Sequence, residues 1–235
     1  MNKIINTFFL VVIIACSGKP KLKKEVAKPI ERQFNINGTL SNFYTNRVYL
    51  NRFKDNNYFP IDSAAIEDNT FTFTGSVPYP ERYVLTFKNY TAEIILILEN
   101  CELNIEINQL QLNNPTITGS ELNVQLNDYQ LATKKIFNKI DHLFPEFQTA
   151  RLENDVQKLK EIREKMNEIE AEYTEFSFDY IENNQNSYLA PMILRDLLKT
   201  PPVDSLKVER LFRQFPDSIQ QSRDSRIIAD YLDLP

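Results

Sequence analysis

The chain has 235 residues, of which 42% are apolar and 25% are charged, as in an ordinary globular protein. Its 27 basic and 32 acidic side chains give a formal net charge of −5, which argues against nucleic acid as a partner. One histidine and two cysteines are too few for a zinc site, and the four widely spaced glycines exclude a phosphate-cradling loop.

The N-terminus carries the features of a bacterial export signal. Lys3 precedes an apolar run over residues 8–15, which is too short to span a bilayer because a span needs about 20 apolar residues. The Ile-Ile-Ala-Cys sequence that ends at Cys16 resembles a bacterial lipobox. The resemblance implies that residues 1–15 are a signal peptide and that Cys16 is the lipid attachment residue. The alternative is a plain secretory peptide with an incidental cysteine.

A lipidated Cys16 predicts a protein of the cell envelope, anchored to the outer or inner membrane and facing the periplasm or the cell surface. Residues 17–32 carry six basic and two acidic side chains together with two prolines. Residues 16–32 are therefore predicted to form the lipidated end and an extended, flexible tether. Two roles stay open for the tether, which are contact with anionic lipid headgroups and a solvated spacer.

Residues 33–119 are predicted to form a β domain, because apolar and polar residues alternate there in short segments. Residues 94–98 form a continuous apolar run, which predicts a strand buried on both faces. The whole pattern predicts an antiparallel β-sandwich or partly open barrel of about eight strands. The alternating positions include Phe34, Ile36, Leu40, Val48, Leu50, Phe71, Phe73, Tyr83, Leu85, Phe87, Leu103, Ile105 and Ile107.

Residues 120–235 are predicted to be α-helical, so the fold class is α+β. Ser120 is a good N-cap, and after it apolar residues recur every three or four positions. Pro145 is expected to interrupt the first helix. The pattern predicts a long antiparallel helical hairpin that packs within its own domain, with a coiled-coil partner surface as the alternative. The predicted stripes are Leu122, Leu126, Tyr129, Thr133, Ile136 and Ile140, then Leu152, Val156, Leu159, Ile162, Met166, Ile169, Tyr173, Phe176 and Tyr180.

Three shorter helices are predicted after the hairpin. The first covers residues 188–198 and carries Pro191 in its first turn, where proline is tolerated. After a Thr-Pro-Pro stop, Asp204 and the following serine are predicted to cap the second helix. Asp217 and the following serine are predicted to cap the last helix, which ends near Leu232.

Several short motifs resemble the domain of unknown function 4369 family, over roughly residues 32–125. That domain occurs in lipoproteins of Bacteroidetes-type bacteria, where it commonly precedes a thioredoxin-like, peroxiredoxin-type domain with a CxxC pair. This sequence contains no CxxC pair, so the resemblance implies no redox activity for it. The motifs are Asn37-Gly38-Thr39-Leu40, Val48-Tyr49-Leu50, Ile61-Asp62-Ser63-Ala64, Phe71-Thr72-Phe73-Thr74-Gly75 and Thr118-Gly119-Ser120-Glu121.

No set of residues predicts catalysis, a metal site or a cofactor. His142 is the only histidine and is expected to lie at the surface near a helix end. Cys101 is the only thiol left once Cys16 is lipidated, so it is either a small buried residue or an exposed thiol without a partner. The many glutamates of the second long helix are expected to form a solvated face.

Three serines lie in the Asp-Ser-apolar pattern that the bacteria of this resemblance use for O-glycosylation. They are Ser63, Ser205 and Ser218, and the latter two are the better candidates if they are exposed. Capping of helices is the alternative role of the same dipeptide.

Three functions are compatible with the sequence. The first is a non-enzymatic binding or scaffolding module whose partner is another envelope protein, and the family resemblance implies a separately encoded thioredoxin-like protein as a candidate. The second is an accessory of thiol-disulfide redox systems that uses Cys101. The third is a carrier of a small apolar ligand inside the sheets, which would require a large apolar cavity.

Overall fold

The alternating segments form eight strands in the part of the chain that the computed structural model describes, residues 33–54, 57–112, 114–199 and 204–234. They make two four-stranded sheets, in the orders β4-β1-β7-β8 and β3-β2-β5-β6, so the predicted strand-rich domain is confirmed. The strands are β1 (Phe34–Ser41), β2 (Arg47–Lys54), β3 (Asn57–Ala65), β4 (Thr70–Gly75), β5 (Glu81–Phe87), β6 (Glu93–Leu98), β7 (Glu102–Asn108) and β8 (Thr116–Thr118), with a short 3-10 helix at Gln109–Gln111.

One strand pair departs from the antiparallel arrangement predicted from the sequence. β1 and β7 run parallel, with Ile36 beside Leu103 and Leu40 beside Ile107. Between β4 and β7 the chain crosses to the other sheet to form β5 and β6, and it returns beside β1 in the same direction. Strand alternation predicts which face is buried but carries no information about this crossing.

The space between the two sheets is filled with apolar side chains. Aromatic rings are prominent in it, and Phe71 lies so close to Gly38 that a Cβ atom there would be 2.0 Å from the ring. The outer face of the β1–β7 sheet is polar, and Asn37 bonds there to the side chains of Glu102 and Asn104. The buried cluster includes Phe34, Ile36, Leu40, Val48, Leu50, Phe73, Tyr83, Leu85, Phe87, Ile94, Leu96, Leu98, Leu103, Ile105 and Ile107.

The switch from strand to helix lies at Gly119 and Ser120. Gly119 has a φ of +93°, and a Cβ atom there would lie 2.0 Å from the carbonyl oxygen of Glu102, so only glycine fits. Ser120 caps the first helix as predicted, because its Oγ accepts a hydrogen bond from the backbone N–H of Asn123. The helices are α1 (Glu121–Glu153), α2 (Val156–Asn183), α3 (Leu189–Leu197), α4 (Ser205–Gln214), α5 (Asp217–Gln220) and α6 (Arg223–Tyr231).

α1 and α2 form the predicted antiparallel hairpin. Cross-helix bonds join Tyr129 to Ser177, Lys139 to Glu172 and Glu146 to Lys158. Each of these pairs lies closer to the turn between the helices than the one before it, as in an antiparallel pair. Asn154, in the left-handed conformation, ends α1, and the Asp155 side chain caps α2. Among the helices described, none combines the length and the apolar character needed to cross a lipid bilayer.

Four details of the sequence prediction are wrong. Pro145 does not interrupt α1, because it lies on the exposed face, where the carbonyl group it leaves unpaired can meet water. Leu152 and Val156 are exposed rather than part of the buried stripe, since they flank the hairpin turn. The last helix is two helices, α5 and α6, and Ser222 caps the second. β6 is not buried on both faces throughout, because Ile95 is 36% exposed.

The helices form a third layer on the outer face of the β3–β6 sheet. Ile97 of β6 belongs to the buried cluster of this layer, together with residues of α1, α2, α3, α4 and α6. The strands and helices described here belong to one compact unit. The apolar cluster includes Leu126, Phe178, Ile181, Leu189, Met192, Ile193, Leu194, Leu197, Val208, Leu211, Phe212, Phe215, Ile219 and Ile228.

The side chain of Asn123 joins α1 to the edge of this sheet. Its Oδ1 accepts from the backbone N–H of Ile97 at 2.9 Å, and its Nδ2 donates to the Ile97 carbonyl at 2.7 Å. Asn123 is 3% exposed, and its Nδ2 also bonds to the Oγ of Ser120, which donates to Glu99. One amide therefore satisfies the edge strand as a neighbouring strand would.

We expect Asn123→Ala to lower the free energy of unfolding by about 2–4 kcal/mol, because it leaves the buried N–H and carbonyl groups of Ile97 without partners. Urea denaturation followed by circular dichroism measures the loss. Asn127→Ala, at an exposed position one turn further along α1, serves as the control and should change the value by less than about 0.5 kcal/mol. Equal stability of the two variants would contradict the role assigned to this amide.

Candidate functional site: a charged cleft between sheet and helices

A cleft of about 140 Å³ lies where the ends of β2 and β5 meet α3 and α6. Seven residues line it, and six of them are charged. They come from segments that are far apart in the sequence and are brought together by the packing of the helical layer on the sheet. The lining residues are Phe53, Glu81, Arg82, Arg195, Lys199, Arg223 and Asp224.

The wall from the sheet is built around Glu81, the first residue of β5, which is only 5% exposed. Arg52 of β2 binds it through two hydrogen bonds, Nε to Oε2 at 2.9 Å and Nη2 to Oε1 at 2.8 Å. Burial opposes the charge of Arg52, but the hydrogen bond and the charge of Glu81 outweigh it and raise the pKa of Arg52. Burial, with the charge of Glu81, also raises the pKa of Tyr83. Glu81 is thus held as a buried, paired carboxylate.

The wall from the helices carries a second buried carboxylate. Asp224, near the start of α6, is 6% exposed, and its Oδ1 lies 2.5 Å from Nη1 of Arg195 in α3. Arg223 donates from Nη1 to the carbonyl oxygen of Phe53 at 2.8 Å, and the same nitrogen lies 3.8 Å from Glu81. The start of α6 is therefore tied both to α3 and to the sheet.

Asp196 links the two walls. Its Oδ2 lies 2.6 Å from Nη1 of Arg82, and its Oδ1 lies 3.2 Å from Nζ of Lys199. Arg82 is the sheet residue next to Glu81, and strand alternation turns it toward the helices. The Nε atom of Arg82 is buried and has no hydrogen-bond partner in the part of the chain that the structure describes.

The cleft has more positive than negative charge. Five cations surround it, whereas only three carboxylates do, which leaves a formal charge of +2 (five minus three). Each carboxylate already has a cationic partner, so the excess belongs to the guanidinium and ammonium groups. The cations are Arg52, Arg82, Arg195, Lys199 and Arg223, and the carboxylates are Glu81, Asp196 and Asp224.

This cleft is not predicted from the sequence. Its residues are single charged positions spread from Arg52 to Asp224, and no motif joins them. One signal was available, because Glu81 and Arg82 open a strand whose following residues are mostly apolar, and charges so placed need partners.

Cys101 lies directly before β7, half-buried and packed against the cluster between the sheets. Its carbonyl oxygen accepts from the backbone N–H of Asn35 at 3.0 Å. Burial, reinforced by the charge of Glu99, raises the pKa of the Cys101 thiol. The thiol is therefore mostly protonated near neutral pH and a weak nucleophile.

The structure locates the other predicted site residues as follows. Cys16, the signal peptide and the tether lie outside the described residues. Ser63, Ser205 and Ser218 are all exposed, on β3, at the first position of α4 and in α5. Asp204, not Ser205, supplies the capping oxygen of α4. Modification of these serines stays a prediction.

His142 is exposed, but it does not lie near a helix end as predicted, because α1 continues to Glu153. Within the described ranges, no group of three or more histidine, cysteine, aspartate or glutamate residues is placed to hold a metal ion.

The architecture is that of a two-sheet β domain with a helical layer on one sheet and a long helical hairpin. A family model described as Domain of unknown function (DUF4369) matches residues 34–126. The match covers the eight strands and the first turns of α1, and it confirms the family resemblance stated from the sequence. The two-sheet part of the chain is therefore similar to this domain family. No curated protein matches the chain.

We expect Cys101 to react slowly in the folded protein. In a Cys16→Ser variant Cys101 is the only thiol, and alkylation by iodoacetamide at pH 8 should be at least about tenfold slower in the native protein than in urea. Mass spectrometry of timed samples measures both rates.

The raised pKa of the Cys101 thiol determines how the stability of the folded protein changes with pH. The contribution of Cys101 to stability is fully present below the pKa of the thiol in the unfolded chain, and it is lost as pH rises through the higher pKa of the folded state.

Equal alkylation rates in the native and unfolded protein would contradict the expected slow reaction, because they would show that the thiol is accessible and reactive in the folded protein.

Proposed function

We propose that the protein is a lipid-anchored component of the cell envelope and acts as a non-enzymatic binding module, with the helical hairpin as its contact surface. The feature that carries the proposal is the hairpin, because much of it packs only against itself. The buried residues of its own cluster all belong to α1 and α2, and the half-buried Tyr173 packs against both this cluster and that of the helical layer. This cluster is Ile136, Leu143, Ala150, Ile162 and Ile169.

The hairpin forms a long arm. α1 has 33 residues, which corresponds to a helix about 50 Å long. Its first three turns pack on β6 and α3 through Leu122, Leu126 and Tyr129, so this end is the root of the arm. The rest reaches out to the turn at Asn154. A long arm with a narrow root suits a module that holds a partner at a distance from its own body.

The tip of the arm is apolar and exposed. Leu152 is 83% exposed and Val156 is 78% exposed, and they lie on either side of the turn. Phe144, about two turns of helix before the tip, is 57% exposed. Such residues at the end of a projecting element are well placed to be buried by another protein.

The proposed partner is another protein of the envelope, and a separately encoded thioredoxin-like protein is the first candidate. The support for this choice is the family resemblance, because the domain commonly precedes a thioredoxin-like domain in lipoproteins. Cell-envelope location rests on the lipobox around Cys16.

The two other hypotheses receive less support. The half-buried position and the raised pKa of Cys101 make it a poor nucleophile for thiol exchange. The filled space between the sheets leaves less support for a carrier of an apolar ligand there.

We expect the double substitution Leu152→Glu and Val156→Glu to reduce recovery of the partner by about tenfold or more, because each glutamate would bring a charge into the apolar contact. The measurement is a pull-down from membranes with the lipid anchor intact, and mass spectrometry identifies and quantifies the recovered thioredoxin-like protein. Leu206→Glu is the control, since Leu206 is 80% exposed but lies on α4. If the double variant recovers as much partner as the Leu206→Glu control does, the tip is not the contact surface.

We expect Cys16→Ser to move the protein from the membrane fraction to the soluble fraction, because stable anchoring depends on the acyl chains. Cell fractionation with immunoblotting measures the shift. A wash with 1 M salt, where the Debye length falls to about 3 Å, removes any contribution from the basic tether. A Cys16→Ser protein that still sediments with membranes after this wash would rule out the predicted anchor.

A further inference from the structure

We propose that the charged cleft is a binding site for a small oxyanion that carries two negative charges, such as a phosphate group or a short dicarboxylate. This inference is independent of the proposed function, since it concerns the body of the protein and not the arm. It rests on the charge of the cleft, its unused hydrogen-bond donors and its size.

The charge of the cleft needs a counterion. Three carboxylates balance three of the five surrounding cations, and the remaining charge of +2 lies on a chain whose overall formal charge is −5. A dianion would neutralise the excess, whereas a monoanion would leave half of it. A cleft with an excess of positive charge attracts anions from solution.

The donors of the cleft are only partly used. Within the described residues, Arg195 bonds to Asp224 through Nη1 alone, although a guanidinium has five N–H donors. Among the same residues, Lys199 bonds only to Asp196, and an ammonium has three donors. Several N–H groups of two side chains that line the cavity are therefore available to oxygen atoms of an anion.

The buried Nε of Arg82 shows that the hydrogen bonding of the cleft is incomplete. A buried donor without a partner is uncommon in proteins and usually indicates a group or water that completes the network. Arg82 lines the cleft, so an anion bound there would lie beside this guanidinium. The acidic groups facing the cleft are already held by cations and need not be displaced.

The size of the cavity limits the ligand. A volume of about 140 Å³ accommodates a phosphate group or a four-carbon dicarboxylate, because a water molecule occupies about 30 Å³ in the liquid. A nucleotide or a folded peptide would not fit within it. The walls are formed by two strands and two helices that ion pairs join to one another, so the site is already formed without a ligand.

The test measures binding of inorganic phosphate and of succinate to the purified full chain by isothermal titration calorimetry, with ionic strength held constant by sodium chloride. We expect saturable binding of at least one of the two in the millimolar range or tighter, about the range that corresponds to a few charged hydrogen bonds. Acetate, a monoanion, should bind at least about tenfold more weakly. Competition between phosphate and succinate, followed by the phosphorus NMR linewidth, shows whether they share one site.

Lys199→Gln is the informative variant. It removes one charge of the cleft, and Asp196 keeps its bond to Arg82, so the fold should be retained. We expect about tenfold weaker binding with an unchanged melting temperature of the ligand-free protein. The matched control is Lys160→Gln, since Lys160 is an exposed residue of α2 away from the cleft, and it should bind as the unaltered protein does.

Two results would overturn the proposal. One is the absence of saturable binding of both phosphate and succinate by the unaltered protein. The other is equal binding by the Lys199→Gln and Lys160→Gln variants, which would place any bound anion elsewhere. In either case the ion pairs of the cleft would serve only to join the helices to the sheet.

Discussion

The structure depends on the contact between the side chain of Asn123 and the backbone of Ile97. An edge strand exposes N–H and carbonyl groups that must be satisfied, and a helix that packs against such an edge would normally bury them without partners. The amide of Asn123 supplies one donor and one acceptor to the same residue of β6. The helical layer can therefore cover the edge of the sheet, and the direction of α1 is fixed at its first turn by Ser120 and Gly119.

Two kinds of contact then hold the helices on the sheet. The apolar cluster around Ile97 buries side chains of the sheet and the helices together, and the ion pairs of the cleft fix the position of α3 and α6. Buried ion pairs contribute little net stability, because the loss of hydration offsets most of their attraction. Their geometry is directional, however, and a buried carboxylate tolerates few alternative partners. Apolar packing thus accounts for the adhesion of the layer, and the charged groups account for its orientation.

Much of the fold could be predicted from the sequence, because burial follows the period of each element. The alternation of apolar residues such as Phe71 and Phe73 predicts strands, and the helical spacing of Leu126 and Ile136 predicts the hairpin. All four side chains are buried in the structure. Pro145 misled the prediction because a proline on an exposed face of a long helix is tolerated when packing on the other face persists. The parallel pairing of β1 with β7 and the assembly of the cleft are properties of the topology. Local patterns do not encode them.

The hairpin has a further consequence for how the molecule can respond to its surroundings. The buried residues of its small cluster all lie on α1 and α2, and the cluster meets that of the helical layer at Tyr173, so few buried contacts outside the hairpin restrain its outer turns. Local stability is therefore expected to fall along one continuous helix, from the root at Asn123 to the turn at Asn154. A molecule bound to the outer turns would order α1 along its length, and the added order would reach the sheet through the apolar root and the amide of Asn123.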